Sequence, residues 1–500
     1  MENRQMKIAM LGAEAVPYVK VGGLADVVGA LPVELERQGA APIIIIPAYK
    51  DIHHERHGIR PCERVRGFGV PMGPRFMPAE IFQAQLPGTR IDVYLIGSQE
   101  YFSREGVYDN PATGEGFVDN MQRFIFFMKA AVALLHRLEL RTDILHCHDS
   151  QTGLVPGFLR TSLLHDEFFS QCGSLFTIHN VAYQGIYPKH ALQWAGIDTR
   201  HFHPASPFEF WGQVNFMKVG IECADLLSTV SETYALEIQS GPEHGHGLEG
   251  ALKARSHDLH GIINGIDYGE WNPETDRHIR VRFSQDDLEG KARCKAEVLR
   301  RFGMPETNME FPMIGMVSRL ADQKGFDLLD RADADIGGLD FSLVILGRGQ
   351  RKYHDLLARL AARHPGRIAI KTDFDDPLAH AIYAGSDMFL VPSRFEPCGL
   401  NQLIALRYGS VPIVRTTGGL ADTVKDCDDR NGSGTGFRFA RYSESDLAAA
   451  IRRALHHYSD RAGWRQLMRR GMSEDWSWAE SARKYLKLYE RIYSGKHPEL

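Results

Sequence analysis

Strand-like and helix-like segments alternate along this chain in two separate runs, and no other feature constrains its fold as much. In the first run, KIAMLGA (7–13) reads as a strand, residues 24–37 as a helix stopped by Gly39, and APIIIIPAY (41–49) as a second strand. Further strands are expected at 91–96, 144–148 and 174–179, with a helix over 119–138. The alternation restarts after about residue 265, with strands at 312–318, 341–347, 367–374, 387–393 and 411–416. Helices at 325–334, 353–363, 377–385, 399–408 and 420–425 separate or follow them, and the tail from Ser443 onward is helical by pattern. Strand–helix–strand repeats build parallel sheets, so two doubly wound Rossmann-like α/β domains are expected, facing a central cleft with ligands beyond the carboxyl ends of the strands. A length of 500 residues also exceeds what one core normally supports. IINGIDYGEWNPETD (262–276) is the best linker, which gives domains of 1–262 and 263–478 and a last helical segment of 479–500.

Several function classes fall away. The formal net charge is −5 with Lys and Arg mixed among Asp and Glu, so there is no basic footprint for nucleic acid. The longest pure aliphatic run, Ile43 to Ile46, is a buried strand and no membrane span. The N-terminus lacks an apolar core of signal-peptide length, and seven scattered cysteines without a CxxC pair read as reduced thiols, so a cytoplasmic location is expected. There is no GxxxxGK[ST] loop, and the first strand is followed by GAEAVPYVKVGG, not by GxGxxG with an acid about twenty residues on. A P-loop kinase and a nicotinamide dehydrogenase do not fit.

Five letters, GGLAD, occur twice: in KVGGLADVVGALP (20–32) and in TTGGLADTV (416–424). Glycines at a helix start can cradle an anion with backbone N–H groups, or simply make a tight turn. In the first copy Lys20 adds a mobile charge. SRLADQKG (318–325) puts Arg319 and Lys324 directly after a strand, either as solvated surface charges or as a clamp on one phosphate. PSRFEPCGL (392–400) puts Glu396 between a strand and a helix, as a ligand for sugar hydroxyls or as a first-turn acid on the helix dipole. ILHCHDSQTGL (144–154) and SLFTIHNVAYQG (174–185) offer His146, His148, Asp149 and His179 at strand ends. His146 and His148 share one strand face, and HGHG (244–247) brings two more histidines, but neither pair has a third ligand at convincing spacing, so sugar recognition suits these groups better than metal.

Taken in order, KVGGLADVVGALP, YFSREGVYD, DNMQRFIFF, HCHDSQTGL, TIHNVAYQG, GLEGALKAR, IINGIDYGEWNP, SRLADQKG, VPSRFEPCGLNQL and RTTGGLADTV closely resemble the motifs of bacterial glycogen synthases and plant starch synthases. These are retaining glucosyltransferases of the two-domain glycosyltransferase B fold. The resemblance implies a nucleoside diphosphate glucose, ADP-glucose in the leading reading, in the C-terminal domain and an α-1,4-glucan acceptor whose nonreducing 4-hydroxyl receives glucose. It implies that Lys20 contacts the nucleotide sugar with Gly22 and Gly23 beside it, that Asp26 is supportive, and that Arg319 and Lys324 grip the leaving diphosphate. Glu396 is placed against glucose, and His179, Asp149 and Asn264 border the sugar. Thr417, Gly418 and Gly419 take phosphate, Cys398, Gly399 and Leu400 belong to the donor site, and Phe374 stacks on the base. The final helix is expected to cross back to the N-terminal domain.

Front-face retention through an oxocarbenium-like transition state is the mechanism implied, with no cofactor and no metal demanded. A glycosidase would need a second carboxylate about 5 to 9 Å from Glu396, and the motifs offer none. The chain departs from the family pattern at Val21, Ser150 and Asn401, expected to touch acceptor fit or donor preference. Leu403 stands where many other transferases of this fold carry a second glutamate, which favours the glycogen and starch synthase branch. Competing readings are another transferase or a phosphorylase of the same fold, and an inactive glucan-binding protein.

Overall fold

The computed structural model describes residues 5–373, 375–427 and 432–497. They form two compact units, the first made of residues 5–230, 235–263 and 478–497, the second of 231–234 and the described part of 264–477.

In the first unit the strands are β1 (Lys7–Leu11), β2 (Ala41–Pro47), β3 (Arg60–Pro61), β4 (Gly67–Met72), β5 (Arg75–Gln85), β6 (Asp92–Gly97), β7 (Ile144–His148), β8 (Gly173–Ile178), β9 (Ile186–Pro188), β10 (Gln213–Asn215), β11 (Leu226–Thr229) and β12 (Leu259–Gly261). Ten of them make one sheet in the order β12-β11-β8-β7-β1-β2-β6-β5-β3, with β4 paired to β5. From β12 to β6 every pairing is parallel, and the strands are apolar on both faces, as Ile8 to Leu11 and Ile44 to Ile46 show by being fully buried. The sheet then continues antiparallel through β5, a segment in which the sequence reading placed no strand. In β5, Met77, Ala79 and Ile81 are buried while Arg75, Pro78 and Glu80 are exposed, the period-2 alternation of a half-covered strand.

The last helix, Trp478–Lys496, packs on this first unit. The Tyr489 hydroxyl shares a hydrogen bond with His146 Nδ1 at 2.8 Å, Ser481 Oγ donates to the carbonyl of Ile263 at 2.6 Å, and Ile492 lies over Gly173, where a Cβ would come within 2.1 Å of it. Among the described residues no helix is long and apolar enough to cross a membrane.

The second unit holds β13 (Met313–Val317), β14 (Ser342–Leu346), β15 (Ile368–Lys371), β16 (Met388–Val391), β17 (Val411–Arg415) and β18 (Phe437–Phe439). They form one all-parallel sheet ordered β15-β14-β13-β16-β17-β18. Renumbered within the unit this is 3-2-1-4-5-6, the doubly wound order whose direction reverses between the first and fourth strands. The loops after β13 and β16 therefore leave neighbouring strands in opposite directions and open a crevice at their carboxyl ends. The helix expected over 325–334 appears as two, Phe326–Arg331 and Asp333–Ile336. Its start is set by Gly325, whose φ of +78° suits glycine and whose missing Cβ would lie 2.1 Å from the carbonyl oxygen of Pro392. That close approach brings the loop after β13 against the loop after β16.

Candidate active site

At the reversal point of the second unit, Lys324 Nζ donates to Glu396 Oε2 at 2.6 Å, and the same oxygen accepts from Ser393 Oγ at 2.8 Å. Gln323 locks the two loops together, its Nε2 donating to the Phe395 carbonyl at 2.9 Å and its backbone carbonyl accepting from the Arg394 amide at 2.8 Å. Glu396 is therefore more than a first-turn acid: it is a buried carboxylate held by an ammonium and a hydroxyl. Arg319 is exposed on the same loop as Lys324, and among the described residues its guanidinium has no hydrogen-bond or ion-pair partner. Asn264 is buried with its Oδ1 unpartnered, an acceptor suited to a ligand hydroxyl. Burial pushes the Cys398 thiol up to about 12, although the backbone N–H of Asn264 donates to it.

The second GGLAD lies against this loop. The Gly419 amide donates to the carbonyls of Glu396 and Pro397, both at 3.1 Å, so this N–H is already engaged and serves close packing of two backbones. Gly418 has φ +44°, and Cβ atoms on Gly418 and Gly419 would come within 2.1 Å of Glu396 O and 1.9 Å of Cys398 O. Beyond them, Asp422 accepts from the Thr233 amide at 2.9 Å and from its hydroxyl at 2.5 Å. Gln402 binds the carbonyls of Cys398 and Gly399 at 3.1 and 2.8 Å, fixing the turn that carries Leu400. Asn401 bridges Val317 O and the Tyr383 hydroxyl at 2.7 and 3.0 Å, which makes this departure a tie between strand and helix. Phe374, the expected base-stacking residue, lies outside the described residues.

The first GGLAD uses its letters differently. Gly22 and Gly23 have no atom closer than 3.8 Å to an added Cβ, and the helix that follows, Gly23–Arg37, runs for 15 residues. The loop's amides bind an acid of the same chain: Glu14 Oε2 accepts from the N–H of Val21 at 2.5 Å and of Gly22 at 2.9 Å, while the Tyr108 hydroxyl donates to Oε1 at 2.8 Å. Burial raises the Glu14 carboxyl pKa against these bonds. Sequence reasoning missed Glu14; the signal was an acid directly after the first strand, in GAEAV. Lys20 pairs with Asp26 at 2.7 Å, at the surface.

Deeper in the first unit, Asp149 follows β7 with φ 56° and ψ −176°, a backbone state costing a non-glycine residue about 1–3 kcal/mol. Its Oδ1 accepts from the His179 amide at 2.7 Å, and burial pushes its carboxyl up to about 7. His179 Nε2 shares a hydrogen bond with His148 Nδ1 at 2.9 Å, and Nε2 of His148 is buried without a partner. His146 has left the site: it is fully buried, with Nε2 on Thr177 Oγ1 at 2.6 Å and Nδ1 on Tyr489. Ser150, another departure, donates to the Tyr183 carbonyl at 2.8 Å.

Burial holds His179 down to about 3, against 6.5 for a free imidazole, and holds His146 and His148 well below 6.5 as well. All three are neutral at pH 7, so His179 can accept or donate one hydrogen bond. Because the folded pKa values lie below the unfolded one, their contribution to stability is complete above pH 6.5 and is lost as pH falls toward 3. Asp149 and Glu14, whose carboxyl pKa values burial raises, act in the opposite sense, Asp149's contribution being lost as pH rises through about 7, and they offset part of the effect of the three histidines. Denaturant titrations between pH 7 and pH 4 are expected to show stability falling with acid, by up to about 1.4 kcal/mol per pH unit for each histidine. His179→Asn should flatten that slope; an unchanged slope would refute this origin.

Known proteins match this geometry along nearly the whole chain. A family model described as the starch synthase catalytic domain matches residues 7–254, and one described as glycosyl transferases group 1 matches residues 302–470. The catalytic domain of starch synthase IV from Arabidopsis thaliana, bound to ADP and acarbose, superposes with a TM-score of 0.89 at 33% identity, covering 98% of this chain and 100% of that one. Sucrose-phosphate synthase from Thermosynechococcus elongatus, 17% identical with a TM-score of 0.59, shares the fold. Two α/β units, one on a mixed and one on an all-parallel sheet, with these loops at the strands' carboxyl ends, define a glycosyltransferase of the B fold. Glycogen synthases of Geotalea uraniireducens and Geotalea daltonii are 46% and 45% identical, each over 98% of this chain and 100% of the relative. The chain belongs to the glycogen and starch synthase family.

Proposed function

We propose that the chain transfers glucose from ADP-glucose to the nonreducing 4-hydroxyl of an α-1,4-glucan, with retention of configuration. The observation that carries the reading is the buried Lys324–Glu396 pair at the reversal point of the second unit, with Arg319 beside it on the same loop. As the bond from the anomeric carbon to the diphosphate lengthens, negative charge gathers on the phosphate oxygens and positive charge on the sugar ring. Arg319 and Lys324 stabilise the first and Glu396 the second, in a site already organised before the reaction begins. The acceptor hydroxyl adds on the face the diphosphate leaves, and its proton passes to a departing phosphate oxygen. Asn264, Cys398, Gly399, Leu400, Thr417, Gly418 and Gly419 complete the donor site, with Gly419 shaping it through the backbone contacts its amide already makes.

In the first unit, neutral His179 and Asp149 are assigned to sugar hydroxyls, and Lys20, Gly22, Gly23 and Asp26 to the nucleotide sugar. The ADP and acarbose held by the Arabidopsis relative support an adenine nucleotide and an α-glucan as ligands here. Purified protein mixed with ADP-glucose and glycogen is expected to release ADP as glycogen gains glucose, and faster than it releases UDP from UDP-glucose. Release of no nucleotide from any nucleotide sugar would overturn the assignment in favour of a glucan-binding protein.

A further inference from the structure

Among the described residues neither histidine pair that stands out in the sequence forms a three-ligand cluster, but another set of residues does. In the second unit, ligand atoms of His278, Asp376 and His380 all lie within 4.8 Å of one another. Asp376 and His380 are four residues apart in the helix Asp376–Gly385 and so share one face of it. His278 reaches them from the segment before the unit's first long helix, positioned by an Asx turn in which its amide donates to Asp276 Oδ1 at 2.7 Å.

His380 provides the decisive observation. It is fully buried, its Nδ1 is bonded to Asp276 Oδ2 at 2.8 Å, and its Nε2 is buried with no partner. The Trp271 indole stacks on the ring at 3.9 Å and the His278 ring lies 4.7 Å away, so the imidazole cannot swing out to find another acceptor or donor. Asp276 is itself held by the Tyr408 hydroxyl at 2.6 Å. A carboxylate fixing one imidazole nitrogen, the other left unpartnered, with a ligand atom of a second histidine and of a second carboxylate within 4.8 Å of the ring's, is the arrangement by which proteins orient a metal-binding histidine.

We propose that His278, Asp376 and His380 bind a divalent transition-metal ion of the zinc class, with Asp276 as the outer partner of His380. Two imidazoles and one carboxylate favour zinc, cobalt or nickel over magnesium or calcium, and they leave a coordination position for water. Ligands at about 2.0 Å from a tetrahedral ion stand roughly 3.3 Å apart, so binding draws the half-buried His278 and Asp376 side chains inward by up to about 1.5 Å while His380 stays fixed. Arg277 donates to His278 Nε2 at 3.3 Å, and its exposed side chain can turn away into solvent to free that nitrogen. The ion would tie the 271–283 segment to the helix Asp376–Gly385, independently of glucosyl transfer.

The test uses the full chain, stripped with a chelator and dialysed against zinc, with cobalt as a spectroscopic probe. The wild type is expected to take up one zinc ion that His278→Ala and Asp376→Ala do not. Loss of either ligand should weaken binding by more than the roughly 10–100-fold that losing an outer partner costs. Cobalt should give the intense visible bands of a four- or five-coordinate site in the wild type, and lose them in both variants. Both substituted side chains are only half-buried, so circular dichroism should show folded variants. No uptake by the wild type, or equal uptake and spectra in all three proteins, as binding at residues 244–247 would produce, overturns the proposal.

Discussion

Lys324→Ala and Glu396→Ala are each expected to lower kcat by about 10²–10³-fold while leaving glycogen binding within about threefold of normal, because the lost interactions act where charge develops in the transition state. The two side chains form one buried unit: Lys324 Nζ and Ser393 Oγ are both within 2.8 Å of the same Glu396 oxygen. Removing Lys324 leaves the buried Glu396 carboxylate with the Ser393 hydroxyl but no counter-charge, and removing Glu396 leaves the partly buried Lys324 ammonium without its carboxylate, so a loss of folding stability of up to about 3 kcal/mol is expected as well. Steady-state kinetics with ADP-glucose, glycogen sedimentation and thermal melts on the same preparations separate these effects. A variant that turns over normally, or one whose KM alone rises, would remove that residue from the chemistry.

The second large effect compares the two copies of GGLAD. Gly419→Ala is expected to destabilise the protein by about 3 kcal/mol or more, or to abolish soluble expression, since its Cβ would sit 1.9 Å from a backbone oxygen of the turn that follows Glu396. Gly23→Ala is expected to be neutral or to stabilise by up to about 1 kcal/mol, because nothing lies within 4 Å of its added Cβ and alanine has less freedom to lose on folding. Denaturant midpoints for both variants decide the matter. Near-native stability of Gly419→Ala would show that the close packing of these backbones carries little of the stability.

Much of the architecture was legible because buried parallel strands announce themselves: β1, β2, β13, β14 and β16 are short, nearly unbroken apolar runs between turn residues. The hairpin of β4 and β5 went unread because half-covered strands alternate, and Phe76, exposed at the hairpin, interrupts the alternation. The motif loops could be placed after their strands, but not their partners. The Glu14 carboxylate lies only eight residues before Gly22 but is held by Tyr108, and His146 is taken into the core under Tyr489, so both depend on residues far apart in the chain. The same holds for the His278, Asp376 and His380 cluster, two of whose members are adjacent on a helix while the third arrives from a distant segment.

By itself, then, the sequence determined the two runs of strand and helix, the loops that follow the strands and the family to which their motifs belong. These are local properties, written in periodicity and in residue order. Tertiary structure alone decided what each polar group faces. It set Glu396 against Lys324, gave the first glycine pair an internal carboxylate and turned the second into a close crossing of two backbones. One pentapeptide serves two purposes because five residues specify a turn and a helix start, whereas hydrogen-bond partners and steric clearance come from chain segments brought together by folding.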